Sequence, residues 1–189
     1  MPSVFESNAI HLQSGNPNME DTPTLHAPGT LGQRFSMQHP TSRASGAPVP
    51  RTKRYQIVRV DPAAAAAPLA GQPAYWSDRA NYVVTTAGGT TLNQVAGVFN
   101  NAPTRGNYTC IQFGGPCLVR ASDANVAAAV AGADVVVGGA TNLAVLVAAG
   151  TAPGTVALGT VSAPKVTDVT GGTGNHKIQV DLTLLPDAV

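Results

Sequence analysis

The chain has 189 residues, enough for one domain with a real core or one domain plus a long extension. Charged residues make up 11 %, well below the usual quarter or so, and the formal net charge is +1, which excludes recognition driven by a strong electrostatic field. With 43 % hydrophobic residues, 20 Gly, 15 Pro and only 5 % aromatics, the composition is not that of a disordered chain and suits many short strands joined by Gly-rich turns.

The N-terminus, "MPSVFESNAIHLQSG", lacks a basic start and an apolar core of about 7–15 residues, so no secretory signal is read there. Residues 1 to 54 carry scattered prolines, many Ser, Thr and Asn, and no apolar periodicity. The segment reads as a poor helix and a poor strand. After Asp21 no acidic residue occurs until Asp61, and Arg34, Arg43, Arg51, Lys53 and Arg54 lie in that gap. This is read as a long extended N-terminal arm laid against another surface. Its apolar residues Val4, Phe5, Ile10, Leu12, Leu25, Leu31, Phe35 and Met37 are spaced too irregularly for a helix but suit separate shallow pockets. The basic residues Arg34, Arg43, Arg51 and Arg54 suit acidic rims.

From Tyr55 the pattern changes, and residues 55–189 are read as one β-rich domain. "YQIVRV", "NYVVTT", "NQVAGVF", "NYTCIQF", "PCLVRA", "DVVVG", "NLAVLVAA" and "GTVALGTV" read as strands, with turn clusters such as "AGGTT", "FGGP" and "GTAPG" between them. This spacing predicts an all-β fold, a small barrel or sandwich of jelly-roll or β-tulip type. In "KIQVDLTLL", Ile178, Val180, Leu182 and Leu184 alternate with polar residues, which predicts a strand with one buried face. "SDANVAAAVAG" could be a short helix and "DPAAAAAPLAG" at most one turn. The uncharged stretch from Val135 to Pro164 is broken by Gly, Asn and Pro throughout, which fits strands and turns better than a membrane span of roughly 20 apolar residues.

Both cysteines lie in "NYTCIQFGGPCLVRA". A hairpin turning at Gly114-Gly115 would place Cys110 opposite Val119 and Cys117 opposite Gln112, the two thiols on a diagonal about 7–8 Å apart. A disulfide wants Cα atoms within ~7 Å, and no further Cys or His lies near in sequence to complete a metal site. Both are read as small buried hydrophobes. His11, His26 and His39 fall in the arm, and His176 falls in the turn "GGTGNHK", where a site with Asp168 or Asp181 is conceivable. Tyr75, Trp76 and Tyr82 form an aromatic cluster that more often fills a core or interface than binds a sugar or nucleic acid. "NYT" at Asn107 matches a glycosylation acceptor by chance. No nucleophile elbow, P-loop or H-E-x-x-H is present in the sequence.

"VFESNAIHLQSGNPNMEDTPTLHAPGTLG" resembles the N-terminus of tailed-phage head proteins encoded near the major capsid protein. "YQIVRV", "GQPAYWSDRANYVVTT" and "NQVAGVFNNAPTRGNYTCIQFGGPCLVRA" resemble the core of phage capsid decoration, or cement, proteins. Tyr108, Ile111, Gln112, Gly114 and Gly115 fit that family's hairpin, with Cys110 where an aromatic is usual and Cys117 where a small residue is usual. The segment "VSAPKVTDVTGGTGNH" departs from the family's Gly-Val-Ala strand and short turn.

The resemblance implies a structural virion protein. It would bind the outer surface of a phage head, clamp neighbouring major capsid subunits and self-associate as a homotrimer, with a homodimer as the alternative. Assembly would take place in the bacterial host cytoplasm. The expected arm contacts are Phe5, Ile10, Leu12, Leu25, Leu31, Arg34, Phe35, Arg43, Arg51 and Arg54. No catalysis, cofactor, metal, nucleic acid or membrane is expected. The competing readings are a nucleic-acid-binding module that uses the basic arm and, more remotely, a β-barrel hydrolase. A convergent Ser, His and acidic set is not apparent for the second.

Overall fold

The computed structural model describes residues 31–43, 46–87, 95–121, 132, 134–137, 144–147, 157–168 and 176–183. Among these residues every regular element is a strand. In chain order they are β1 (Arg34–Arg43), β2 (Gly46–Val60), β3 (Pro73–Asp78), β4 (Val83–Thr85), β5 (Val95–Phe99), β6 (Tyr108–Ala121), β7 (Asp134–Val137), β8 (Ala144–Val147), β9 (Ala157–Asp168) and β10 (His176–Leu182). The expected all-β class holds. The segment 61–71 is a run of turns, and the candidate helix at 122–132 lies outside the described residues except for Gly132. No helix among the described residues is long and apolar enough to cross a membrane.

The strands run in the order β1-β2-β4-β3-β5-β6-β10-β9-β7-β8, and β2–β6 and β6–β8 pair in addition. The β2–β6 pairing closes β2, β4, β3, β5 and β6 into a five-stranded barrel. The β6–β8 pairing, at Ala121 and Ala144, closes a second ring through β10, β9 and β7. One strand therefore belongs to both rings. Tyr108 to Gly114 pair with β2, and Gly115 to Ala121 pair with β10.

This corrects the hairpin expected at Gly114-Gly115. A Gly-Gly pair between apolar runs is a hairpin signal, but here the chain bends without reversing and continues as one 14-residue strand. The glycines serve a close approach instead. Gly115 has φ of +80°, and a Cβ on it would run into the Thr52 carbonyl of β2. A Cβ on Gly114 would run into the Arg54 guanidinium. Only Gly fits where strand β2 lies this tightly on the bend of β6.

Alternation explains how the strands fill their cores. On β2, Val58 and Val60 join Ala74, Val84, Ala96, Phe99 and Ile111 in the core of the first barrel. Tyr55 and Ile57 pack with Cys110 in a separate small cluster, against which Phe35, Met37 and Tyr108 are laid. The second core gathers Cys117, Val119, Ala121, Val135, Leu158, Val161, Ile178, Val180 and Leu182. Tyr75 and Val98 reach into it from the first barrel, so the two cores abut. Each fully buried aliphatic side chain contributes about 1.5–3 kcal/mol. Ile178, Val180 and Leu182 are buried as the alternation in β10 predicts, and Leu184 lies outside the described residues.

Strand β2 runs without a break across position 54/55, where the sequence reading divides arm from domain. Residues 34–43 pair antiparallel with 46–56, so the described part of the arm is a β-hairpin. The polar, Pro-containing sequence hides it. Such a ribbon is set by backbone pairing and needs no apolar face to reveal its period.

Candidate functional site

Two features of this scaffold present themselves for recognition. The first is the β1–β2 ribbon. Its root, from Arg34↔Gln56 to Ser36↔Arg54, is fastened to the barrel, because β2 pairs with β6 from Arg54 onward. From Met37↔Lys53 to Arg43↔Gly46 the two strands pair only with each other. Beyond Thr52, whose carbonyl lies against Gly115 of β6, the six further residues of β2 back to Gly46 span roughly 20 Å at about 3.3 Å per residue. Pro40 and Pro50 oppose one another in the register, and neither supplies an N–H. A proline on β1 interrupts the donor row of an otherwise open edge, which discourages edge-to-edge pairing with a stray strand.

At the root, the rings of Phe35 and Tyr55 are stacked with centroids 5.4 Å apart. The guanidinium groups of Arg34 and Arg54 lie over the ring of Phe113 at 5.7 and 5.5 Å. Cation–π contacts of this kind hold about 0.5–1 kcal/mol each where solvent reaches them. The expected arm contacts thus divide. Phe35, half-buried, and Arg34 and Arg54 fasten the ribbon to its own barrel. Leu31 is half-buried just ahead of β1. Arg43 and Arg51 lie on the projecting ribbon. Phe5, Ile10, Leu12 and Leu25 lie outside the described residues.

The second feature is a cleft of about 290 Å³ where the two rings meet, lined among others by Lys53, Phe99, Gln112, Cys117, Leu118 and Lys177. Gln112 is fully buried, and its Nε2 donates to the carbonyls of Gly114 at 3.1 Å and Pro116 at 2.8 Å. These bonds pin the bend of β6. They also turn Oε1 the other way, where no group of the described chain donates to it. Lys177 pairs in register with Arg120 across β10 and β6. Burial, and then the Arg120 charge, hold its ammonium below the ordinary lysine range, with a weaker opposing pull from Cys117. The sequence gives no hint of this cleft, because its walls come from segments more than a hundred residues apart.

The thiols are not bridged. Seven residues along one strand span roughly 20 Å, far beyond disulfide reach. The expected reduced state stands, for a different reason than a diagonal across a hairpin. Burial pushes the Cys110 thiol up to about 12, so it is not a nucleophile at neutral pH.

Of the aromatic cluster, Tyr75 is fully buried, and Trp76 meets Tyr82 edge-to-face at 6.4 Å on the rim of the first core. "PAYWSD" is strand β3, and Tyr75 and Trp76 take the core role favoured for the cluster over a ligand-binding patch. His176 begins β10 opposite Asp168 of β9 and does not lie in a turn. Among the described residues no group of three His, Cys, Asp or Glu side chains could hold a metal ion. Comparison with protein-family models, curated proteins and solved structures finds no match to this chain.

Proposed function

We propose that this protein is a structural component of a tailed-phage head that binds the outside of the assembled shell and clamps neighbouring major capsid subunits. The observation that carries the reading is the β1–β2 ribbon standing out from a doubly closed barrel. A two-stranded ribbon is marginal in water and is stabilised when a face packs on something else. Ordering it against a partner costs roughly 1–2 kcal/mol per residue, so it holds only where contact is extensive, as on a completed lattice. A rigid barrel with such an extension suits a clamp. Self-association, as a trimer or a dimer, would add further attachment points, and several weak contacts then sum to tight binding. The resemblance of the strand and turn sequences to decoration proteins points the same way.

The test is co-sedimentation with shells assembled from the major capsid protein that accompanies this chain. The full chain binds at a fixed ratio to shell subunits and raises the temperature at which shells come apart. A variant in which 39–51 are replaced by an Asn-Gly turn joins Gln38 to Thr52, which face each other in register, and so keeps the root intact. It folds and binds at least tenfold more weakly. A full chain that ignores shells overturns the proposal, and a ribbonless chain that binds equally well moves the contact to the barrel.

A further inference from the structure

We propose that the open edge of β1, from Arg34 to Gln38, is a homodimer interface, where β1 of a second copy pairs antiparallel about a two-fold axis through Ser36. Among the described residues β1 is the one strand with a neighbour on one side only. The direction of its backbone groups follows from the ladder. Ile57 donates its N–H to the Gln33 carbonyl and accepts from the Gly32 N–H, so its polar groups turn toward β1. Orientation alternates along a strand, so Tyr55, Lys53 and Arg51 turn the same way, and their register partners Phe35, Met37 and His39 turn inward to meet them. Arg34, Ser36, Gln38 and Pro40 therefore point their backbone groups outward. The two edges of the ribbon differ. On the far side of β2 the outward row runs from Thr52, whose carbonyl lies against Gly115, to Pro50, which has no N–H, and Pro48 follows two residues on. On β1, Arg34, Ser36 and Gln38 all keep an outward N–H, and the row ends only at Pro40. Arg34 and Ser36 are also exposed. A row of this kind takes an added strand.

The occupant is a second copy because one register serves the whole row. With the axis at Ser36, that residue faces its own counterpart and Arg34 faces the second copy's Gln38, which makes about six backbone hydrogen bonds. Moving the axis to Met37 sets Arg34 against Pro40, which has no N–H to give. Moving it to Phe35 sets Gln38 against Gly32, whose N–H is already given to Ile57. The Ser36 axis also keeps Arg34 away from its own counterpart, so no like charges oppose one another. It places Phe35 opposite the second copy's Met37, twice by symmetry, in the non-hydrogen-bonded pairs where side chains come closest. Phe35 and Met37 are half-buried against the Tyr55, Ile57 and Cys110 cluster. The pairing thus extends one apolar face across both copies, with a thioether against each aromatic ring. Each copy contributes only the Arg34–Gln38 stretch, against about 20–30 residues a side in a standard interface, so the dimer is weak and forms at high local concentration. Residues 39–51 of the ribbon stay outside the contact.

This contact gives a surface to the dimer alternative for self-association in the shell reading, and its test contains no shell, so either can fail alone. The full chain, sedimented to equilibrium from about 10 µM to about 1 mM, is expected to pass from monomer to dimer within that range. Ser36→Pro removes the outward N–H on the axis and leaves the ladder to β2 intact, as Pro40 does further along the same row. It is expected to weaken association at least tenfold. Should Ser36→Pro not fold, Ser36→Arg at the exposed side chain sets like charges opposite one another and weakens association at least fivefold. The register is read with Ser36→Cys, which under mild oxidation cross-links to its counterpart, about 5.5 Å away between Cα atoms, while Arg34→Cys, roughly 15 Å from its counterpart, does not. The native Cys110 and Cys117 are both buried and leave the added thiol as the reactive one. A chain that stays monomeric throughout the range, a trimer, association indifferent to both Ser36 variants, or cross-linking through Arg34→Cys and not Ser36→Cys would each overturn the proposal.

Discussion

The ring of Phe35 on β1 is stacked on that of Tyr55 on β2, 5.4 Å between centroids and 19° from parallel, at the point where the ribbon leaves the barrel. Tyr55 is itself packed with Ile57 and Cys110, so the stack ties the first strand of the ribbon to a buried cluster. Phe35→Ala is expected to cost about 1–2 kcal/mol, less than a fully buried Phe because the ring is half-exposed. Hydrogen exchange should show the loss first at the β1 amides. Unchanged protection there would mean that the stack does not hold the root.

Gly115 and Gly106 offer a matched pair. Their φ angles are +80° and +82°. A Cβ on Gly106 meets nothing closer than Pro62 Cβ at 3.7 Å, whereas one on Gly115 collides with the Thr52 carbonyl. Gly106→Ala is expected to cost about 1 kcal/mol from backbone strain alone. Gly115→Ala adds a steric clash with a backbone that cannot move without breaking β2 from β6, and its cost should be at least twice as large. Urea denaturation of the two variants measures the difference. Equal costs would remove the close approach of the two strands.

Alkaline pH should weaken the fold in two steps. Burial raises Cys110 from 9.0 to about 12 and Tyr75 from 10.0 to about 12. Both groups stay neutral in the folded chain while the unfolded chain loses the protons. The unfolded state then binds fewer protons, so stability is intact below pH 9 and falls between pH 9 and about 12. Melting temperatures measured across that window should show Cys110→Ala flattening the decline from pH 9 and Tyr75→Phe from pH 10. At pH 7, Tyr75→Phe should be neutral or stabilising by up to about 1 kcal/mol, since the buried hydroxyl has no partner within the described chain. A Tyr75→Phe protein that is markedly less stable at pH 7 contradicts this.

Val180 is fully buried, faces Cys117 in the register with β6 and Val161 in that with β9, and sits in the second core. Val180→Asp would bury an unpaired charge at a cost of several kcal/mol. The expected outcome is a protein unfolded at room temperature, or one that melts far below the wild type by circular dichroism. A wild-type melt would place β10 elsewhere.

Much of this fold can be read from side-chain alternation, and the exceptions share a cause. Ile178, Val180 and Leu182 announce β10 because one face is apolar and the other polar. In β7 and β8 the runs "DVVV" and "AVLV" announce themselves by β-branched and aliphatic content. The ribbon strands have no such pattern, because their pairing is a backbone matter and prolines disguise it. The Gly114-Gly115 pair carries the chemistry of a tight turn, yet its meaning depends on Thr52 and Arg54, about sixty residues away. The cleft is illegible for the same reason. Lys53, Phe99, Gln112 and Lys177 look unrelated in sequence, and their relation is created by β6 bending between two rings.

The double membership of β6 also imposes an order on how the molecule comes into being. Every strand of the first ring lies in residues 46–121, so that barrel can close while the later strands are still being synthesised. The second ring has no complete set of its own. It must build on the half of β6 from Gly115 to Ala121, which the first ring has already placed, and β10, last to emerge, pairs with it directly. The early barrel thus acts as a template with an open edge, waiting for about sixty residues of chain. During that interval the waiting edge is the part of the nascent protein most exposed to wrong partners.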